Sequence, residues 1–201
     1  NRKYIKKKKV ATMKKKILYF GRLHEKKGLD FLLDVLKDMD SSFFNKYYFE
    51  ITGPGSPDYI THLEKKIYNN KLSNYLKILK PITPNQKFEY IQKADYFILP
   101  SFEEGDSVAL KEALSCGVPV LISDRCRMPI VAERKCGIIF QNNKKDLVKC
   151  LDNLNYIDYW KYSNNAVNLM EEFYTNKICS ERLLKIYFDI KNTTYESKDW
   201  L

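Results

Sequence analysis

Two glutamates, Glu104 and Glu112, frame the stretch from Pro100 to Val120, PSFEEGDSVALKEALSCGVPV, in which an apolar strand runs through a polar turn into a helix. The helix positions Glu112, and the turn hangs Glu104 over the helix's open end. A helix start near Asp106 to Ala109 offers unpaired backbone N–H groups at the positive end of a dipole, a ready site for phosphate. Phosphate beside two carboxylates points to a sugar nucleotide. Any lone pair of glutamates is more often a solvated loop residue and a surface helix residue. Here the residues around Glu112 (Val108, Ala109, Ala113, Leu114 and Cys116) are small or apolar, so its face points inward. A buried carboxylate is costly without a partner, and a ribose diol is one such partner.

A second cluster lies upstream. Ile17 to Gly21 (ILYFG) reads as a buried strand feeding a turn, and Leu29, Leu32, Leu33 and Leu36 then repeat at helical spacing. Between them GRLHEKKG, Gly21 to Gly28, puts Arg22 and Lys27 at the carboxyl end of a strand, the edge where open α/β sheets bind ligands. Surface Arg and Lys usually face solvent, so position rather than residue type carries this reading.

Pro100, Ser101, Glu104, Gly105, Glu112, Ala113, Gly117, Pro119 and Val120 fall on the pattern PS-x-x-EGFG-x4-EA-x-A-x-G-x-PV, and Gly21 to Gly28 on GRL-x3-KG. Through these motifs the chain resembles the family 4 glycosyltransferases, two-domain retaining enzymes of the GT-B fold, over about Lys16 to Tyr187. It departs from the pattern at Asp106-Ser107, where the family has Phe-Gly. The resemblance implies that Arg22 and Lys27 hold the donor diphosphate, helped by amides near Ser107 and Val108, and that Glu112 accepts hydrogen bonds from the ribose hydroxyls. It further implies that Glu104 meets the donor sugar and that the loop at Ile82 lies against the base through its backbone. Gly21 and Gly53 would border the donor; a tight turn accounts equally well for Gly53. At about 4 Å and an effective dielectric near 20, each cation is worth on the order of 4 kcal/mol to a departing anion. No metal or other cofactor is expected.

The elements that must hold these residues alternate along the chain. Strands are expected at Ile17 to Gly21, Tyr47 to Gly53, Tyr75 to Lys80, Asp95 to Leu99, Val118 to Ser123 and Cys136 to Phe140. Ser56-Pro57 reads as N-cap and first residue of a helix to about Asn70. Thr83-Pro84-Asn85-Gln86 reads as a capping box opening a helix to Lys93. Three amphipathic helices follow, near Lys144 to Leu154, Ile157 to Phe173 and Thr175 to Ile190. The sum is an α/β chain with a Rossmann-like, doubly wound, parallel six-stranded sheet, the C-terminal half of a GT-B enzyme. Its parts are a basic lead-in over 1–15, a sugar-nucleotide-binding domain over 16–173, and a closing helix and tail over 174–201. The acceptor-binding domain is expected to be missing from this sequence.

With 201 residues, 44% of them hydrophobic and 14% aromatic, the chain suffices for one domain with a full core. Nothing approaches a run of about 18 apolar residues, and the start lacks a signal-peptide core, so a cytoplasmic protein is expected. The net charge of +10 arises largely from Lys3, Lys6 to Lys9 and Lys14 to Lys16. A solvated segment is the simplest account; contact with an anionic membrane face is the sharper one. No aromatic interleaving or RNA-binding motif supports a nucleic-acid partner. Five cysteines without a C-x2-C pair read as reduced, mostly core thiols, and His24 and His62 as loop or surface residues. Asp38-Met39-Asp40 spells a metal-binding D-x-D but falls at a helix end, where it reads as a surface turn. The partners expected are a nucleotide sugar, such as a UDP- or GDP-sugar, and a glycan or glycolipid acceptor. A degenerate, non-catalytic nucleotide- or partner-binding module is the alternative, motivated by the anion of Asp106 in the phosphate loop.

Overall fold

Near-continuous apolar runs such as ILYF, YFIL and VLIS are what strands covered on both faces require. The computed structural model describes residues 14–196 and places these runs in β1 (Lys15–Phe20), β4 (Tyr96–Leu99) and β5 (Val120–Ser123). With β2 (Tyr47–Thr52), β3 (Leu76–Leu79) and β6 (Gly137–Phe140) they form one six-stranded sheet. Its order is β3-β2-β1-β4-β5-β6, and every pairing is parallel. The winding reverses between β1 and β4, so the loops leaving those strands diverge and open a crevice at their carboxyl ends. The six expected strands are all present.

The helices that cover the sheet follow the apolar periodicity. In α1 (Leu29–Leu36), Leu29, Leu32, Leu33 and Leu36 are all fully buried. In α3 (Pro57–Asn69), Ser56 Oγ accepts from the Tyr59 amide at 3.3 Å and Pro57 opens the helix, as expected from the sequence. Further on lie α5 (Val108–Ser115), α6 (Ile130–Glu133), α7 (Lys144–Asp152) and α8 (Tyr159–Phe173).

Three departures have physical causes. First, the turn expected at Asp38-Met39-Asp40 is present, but it leads into a short helix that the sequence reading lacks, α2 (Ser41–Lys46): Asp40 accepts from the Ser42 amide at 2.7 Å as its N-cap, and Asp38 pairs with Lys144. Both carboxylates of the D-x-D thus have structural partners. Second, α4 (Lys87–Gln92) starts three residues later than the capping-box reading requires. Thr83 Oγ1 bonds the Gln86 side chain at 3.0 Å, and the Gln86 amide bonds the Thr83 carbonyl at 3.1 Å, which closes a turn instead of opening a helix. Third, α9 (Asn176–Glu196) presents Leu183, Leu184, Tyr187 and Ile190 more than half exposed. The lysines before Lys14 and the tail after Glu196 lie outside the described residues.

Gly53 has a φ of +149° and sits so close to β1 that a Cβ there would lie 1.8 Å from the Gly21 carbonyl oxygen. The close approach is therefore between the two strand ends, and this explains the glycine without a ligand. Cys126, Cys136 and Cys150 are buried, and Cys179 is exposed. No helix among the described residues is long and apolar enough to cross a membrane.

Candidate functional site

Four loops meet at the carboxyl ends of the strands, and backbone and hydroxyl groups bind them together. Gly28, at φ +70°, lets the loop after β1 press on the loop after β4; a Cβ there would lie 1.9 Å from the Pro100 carbonyl oxygen. The Lys26 carbonyl accepts from the Phe102 amide at 2.9 Å and from Ser101 Oγ at 3.0 Å. The Ser101 carbonyl accepts from Ser123 Oγ at 2.5 Å and from Asn142 Nδ2 at 3.4 Å, drawing in the loops after β5 and β6. Buried polar groups satisfied in this way rigidify what they join.

The cleft they frame is about 190 Å³. Gly21, Arg22, Lys27, Glu104, Asp106, Ser107 and Val108 all line it, so seven of the residues singled out from sequence converge. Tyr19 forms part of its floor and donates to the Arg22 carbonyl at 2.8 Å. Burial, then the charge of Glu104, pushes the Tyr19 phenol far above its ordinary range, so it stays a neutral donor. A second, larger cleft of about 460 Å³ adjoins the first through Arg22 and runs between His24 and Tyr59.

Ser107 caps α5: its Oγ accepts from the Leu110 amide at 3.3 Å. Val108 and Ala109 occupy the first turn, where amides have no intrahelical acceptor, and both border the cleft. Asp106 is not the cap. Its carboxylate lies 2.5 Å from Lys111 Nζ and is 73% exposed.

Three of the cleft's four charged side chains are paired. Lys27 Nζ lies 2.5 Å from Glu104 Oε1, with the two side chains 20% and 7% exposed. Arg22 makes no ion pair among the described residues. Glu112, Gly53 and Ile82 stand outside the cleft lining. Glu112 pairs with Lys87 of α4, so the partner its burial demands is already present in the chain. Ile82 is half-buried in the loop between β3 and α4. The sequence reading singles out neither Lys87 nor Tyr19 as a site residue. Lys87 pairs across 25 positions, and only the demand for a partner to Glu112 could have led to it.

A parallel sheet of this order, with an amide-lined cleft at its switch point, defines a Rossmann-like domain of the GT-B type. The chain belongs to the family described as Glycosyl transferases group 1, which it matches over residues 1–158. It is 27% identical over 186 residues to an uncharacterized 41.2 kDa protein in the cps region of Klebsiella pneumoniae, covering 90% of this chain and 47% of that one. It is 32% identical over 127 residues to the amylovoran biosynthesis glycosyltransferase AmsK of Erwinia amylovora, covering 59% of this chain and 30% of that one. Among solved structures, Anabaena HepE in complex with UDP superposes with a TM-score of 0.72 at 19% identity, over 86% of this chain and 49% of that one. The chain spans about half the length of the curated relatives that it matches along most of its own.

Proposed function

We propose that this chain is the C-terminal, donor-binding half of a retaining family 4 glycosyltransferase, which moves a sugar from a nucleotide sugar such as a UDP- or GDP-sugar to a glycan or glycolipid. The observation that carries the reading is the meeting of Arg22, Lys27, Glu104 and the first-turn amides of α5 on one cleft. In the reaction the diphosphate leaves with its electron pair, and Arg22, Lys27 and the amides of Val108 and Ala109 stabilise the charge that grows on it. Lys27 turns from Glu104 to the phosphate, which frees Glu104 to orient the donor sugar. Glu112 holds the ribose diol, and the loop at Ile82 faces the base. The acceptor hydroxyl attacks from the leaving-group face and gives its proton to the departing phosphate, which preserves the anomeric configuration. Positive charge at the leaving group comes from side chains and amides, so the reading invokes no metal.

The extra length of the relatives leaves room for an acceptor-binding domain. The cps and amylovoran relatives support surface polysaccharide as the product class. A cytoplasmic setting with the basic lead-in at a membrane face goes with that reading. The alternative of a non-catalytic module rested on the anion of Asp106. Lys111 neutralises that anion and Ser107 does the capping, so the structure lends the alternative no support.

Calorimetric titration of the chain with UDP, GDP and ADP tests the proposal. One nucleotide should bind with a micromolar to millimolar Kd, and Arg22→Ala and Glu112→Ala should each weaken it about tenfold or more, the loss of a charge-assisted hydrogen bond. Absence of binding, or binding indifferent to both substitutions, rules the reading out for this chain.

A further inference from the structure

We infer that Lys87 is a positioning residue for ribose recognition: it braces Glu112 against the loop that precedes α4, so that the carboxylate is held in place to accept from a cis-diol. The inference rests on the donor-binding reading above. Glu112 lies on the second turn of α5, and its side chain is only 15% exposed. A carboxylate so placed is costly without a partner beside it. Lys87, the first residue of α4, supplies that partner at Oε1.

The ammonium has little freedom to leave. Its Nζ lies 5.6 Å from the Phe20 ring and 5.5 Å from the Phe88 ring, a distance at which aromatic faces attract a cation. Phe20 ends β1 and lines the cleft, so the pair borders the site at the sheet's switch point. A second tie runs parallel to the first: Cys116 Sγ, at the carboxyl end of α5, donates to the Phe88 carbonyl at 3.8 Å. Burial, then the charge of Glu112, pushes that thiol up to about 12, so it stays a neutral donor beside the pair.

The geometry has a consequence for specificity. Lys87 immediately follows residues 80–86, the loop assigned to the base, while Glu112 is assigned to the ribose. Base and ribose are joined by one bond, so a site that reads both must keep its two contacts at a fixed separation. The Lys87–Glu112 pair fixes it. The two oxygens of a carboxylate offer about four lone-pair sites, so with Oε1 engaged by Lys87 room is left to accept from the two hydroxyls of a diol.

The test is titration of the chain and of Lys87→Met and Lys87→Arg with UDP, GDP and ADP and with their 2′-deoxy forms. The wild-type chain should prefer the ribonucleotide by about tenfold, the effect of one charge-assisted hydrogen bond. Lys87→Met should abolish that preference by weakening the ribonucleotide about tenfold while leaving the 2′-deoxy form within about twofold. Lys87→Arg should restore it. A merely structural lysine would weaken both forms alike. An unchanged ribose preference in Lys87→Met therefore overturns the inference, whether affinity holds or falls for both. Lys87→Gln replaces the methionine variant if the latter melts below the working temperature. Should the wild-type chain bind none of the nucleotides, the donor-binding reading fails and takes this inference with it; wild-type binding that Arg22→Ala weakens, with a ribose preference indifferent to Lys87, sinks this inference alone.

Discussion

The two ends of the sheet are built from the same strands and finished in opposite ways. At the amino end aromatic rings fill the space: Phe43 stacks on Tyr47 at 4.9 Å, Phe44 on Tyr75 at 4.3 Å, and Tyr96 meets Tyr159 edge-on at 6.0 Å. At the carboxyl end the strands stop at Gly21, Gly53 and Pro100, and two charged pairs of low exposure stand there. The contrast separates two tasks. Rings bury apolar area and hold the fold, whereas buried ion pairs contribute little net stability because desolvation offsets their attraction. On the donor-binding proposal an anionic, hydroxyl-rich ligand takes over the charges of Lys27–Glu104, whereas Lys87–Glu112 stays paired. Two neighbouring pairs make the point within a single pair of loops. Lys26–Glu103, at 3.2 Å with side chains 66% and 70% exposed, is worth about 0–1 kcal/mol, while Lys27–Glu104 alongside is withdrawn into the cleft.

The largest expected effect tests that division. Phe49 in β2 is 1% exposed and packs against Phe43 with ring centroids 6.2 Å apart. Phe49→Ala should lower stability by about 3–5 kcal/mol through lost burial and the cavity left behind. Urea unfolding reads the loss. Nucleotide affinity of the folded fraction, titrated in the cold, should stay near wild type. A parallel fall in affinity would show that the two ends are not separable.

How far this contrast was legible in the sequence depends on what writes each part. The strands were legible because burial on both faces leaves unbroken apolar runs. Arg22, Lys27, Glu104 and Ser107 were legible because each follows such a run or opens the helix after it, so their place in the chain fixes their place on the sheet edge. The pairings were not. Lys87 for Glu112 is one choice from 35 basic residues, made by how α4 and α5 pack, and Lys111 for Asp106 is set by how the turn before α5 folds back on the helix's first turn. The start of α4 was misread because Thr83 and Gln86 satisfy each other in a turn with the same residue types as a capping box. The short α2 was missed because Asp40 is as good an N-cap as it is a turn residue.

Ser107→Ala should have the intermediate effect and sharpen the comparison from the other end. Removing this cap should cost about 1 kcal/mol, whereas Ser107→Gly should cost only a few tenths. For a domain of this size 1 kcal/mol is a shift of about 2–4 °C in Tm. Because the freed Leu110 amide lies in the turn that faces the cleft, the alanine variant should also weaken phosphate binding slightly. A stability loss as large as that of Phe49→Ala would contradict the assignment of the carboxyl end to ligand rather than to the fold.

The smallest effect concerns pH. Asp30 in α1 accepts from Tyr59 Oη at 2.8 Å, from His62 Nε2 at 2.6 Å and from Lys66 Nζ at 3.3 Å, and Lys66 also reaches Asp34 at 2.8 Å. Burial alone would raise the Asp30 carboxyl, but the hydrogen bonds from His62 and Tyr59 and the charge of Lys66 outweigh it and hold the group below the usual carboxylate range. A folded pKa below the unfolded one gives stability that is fully present above the unfolded value, about 3.9, and is lost as pH falls through the folded one. Thermal unfolding followed from pH 7 down to pH 3 should show wild type more stable than Asp30→Asn at the upper end, with the two curves drawing together below about pH 4. Asp38, Asp40 and Glu89 are also lowered, by Lys144, by the Ser42 amide and by Lys93 respectively, so both curves should slope in the same window. The difference between the curves isolates Asp30. Tyr59 lines the larger cleft beside Arg22, so this small acid-sensitive increment belongs to the carboxyl end. The corresponding difference for Phe49→Ala should be flat with pH, because no titrating group enters its loss.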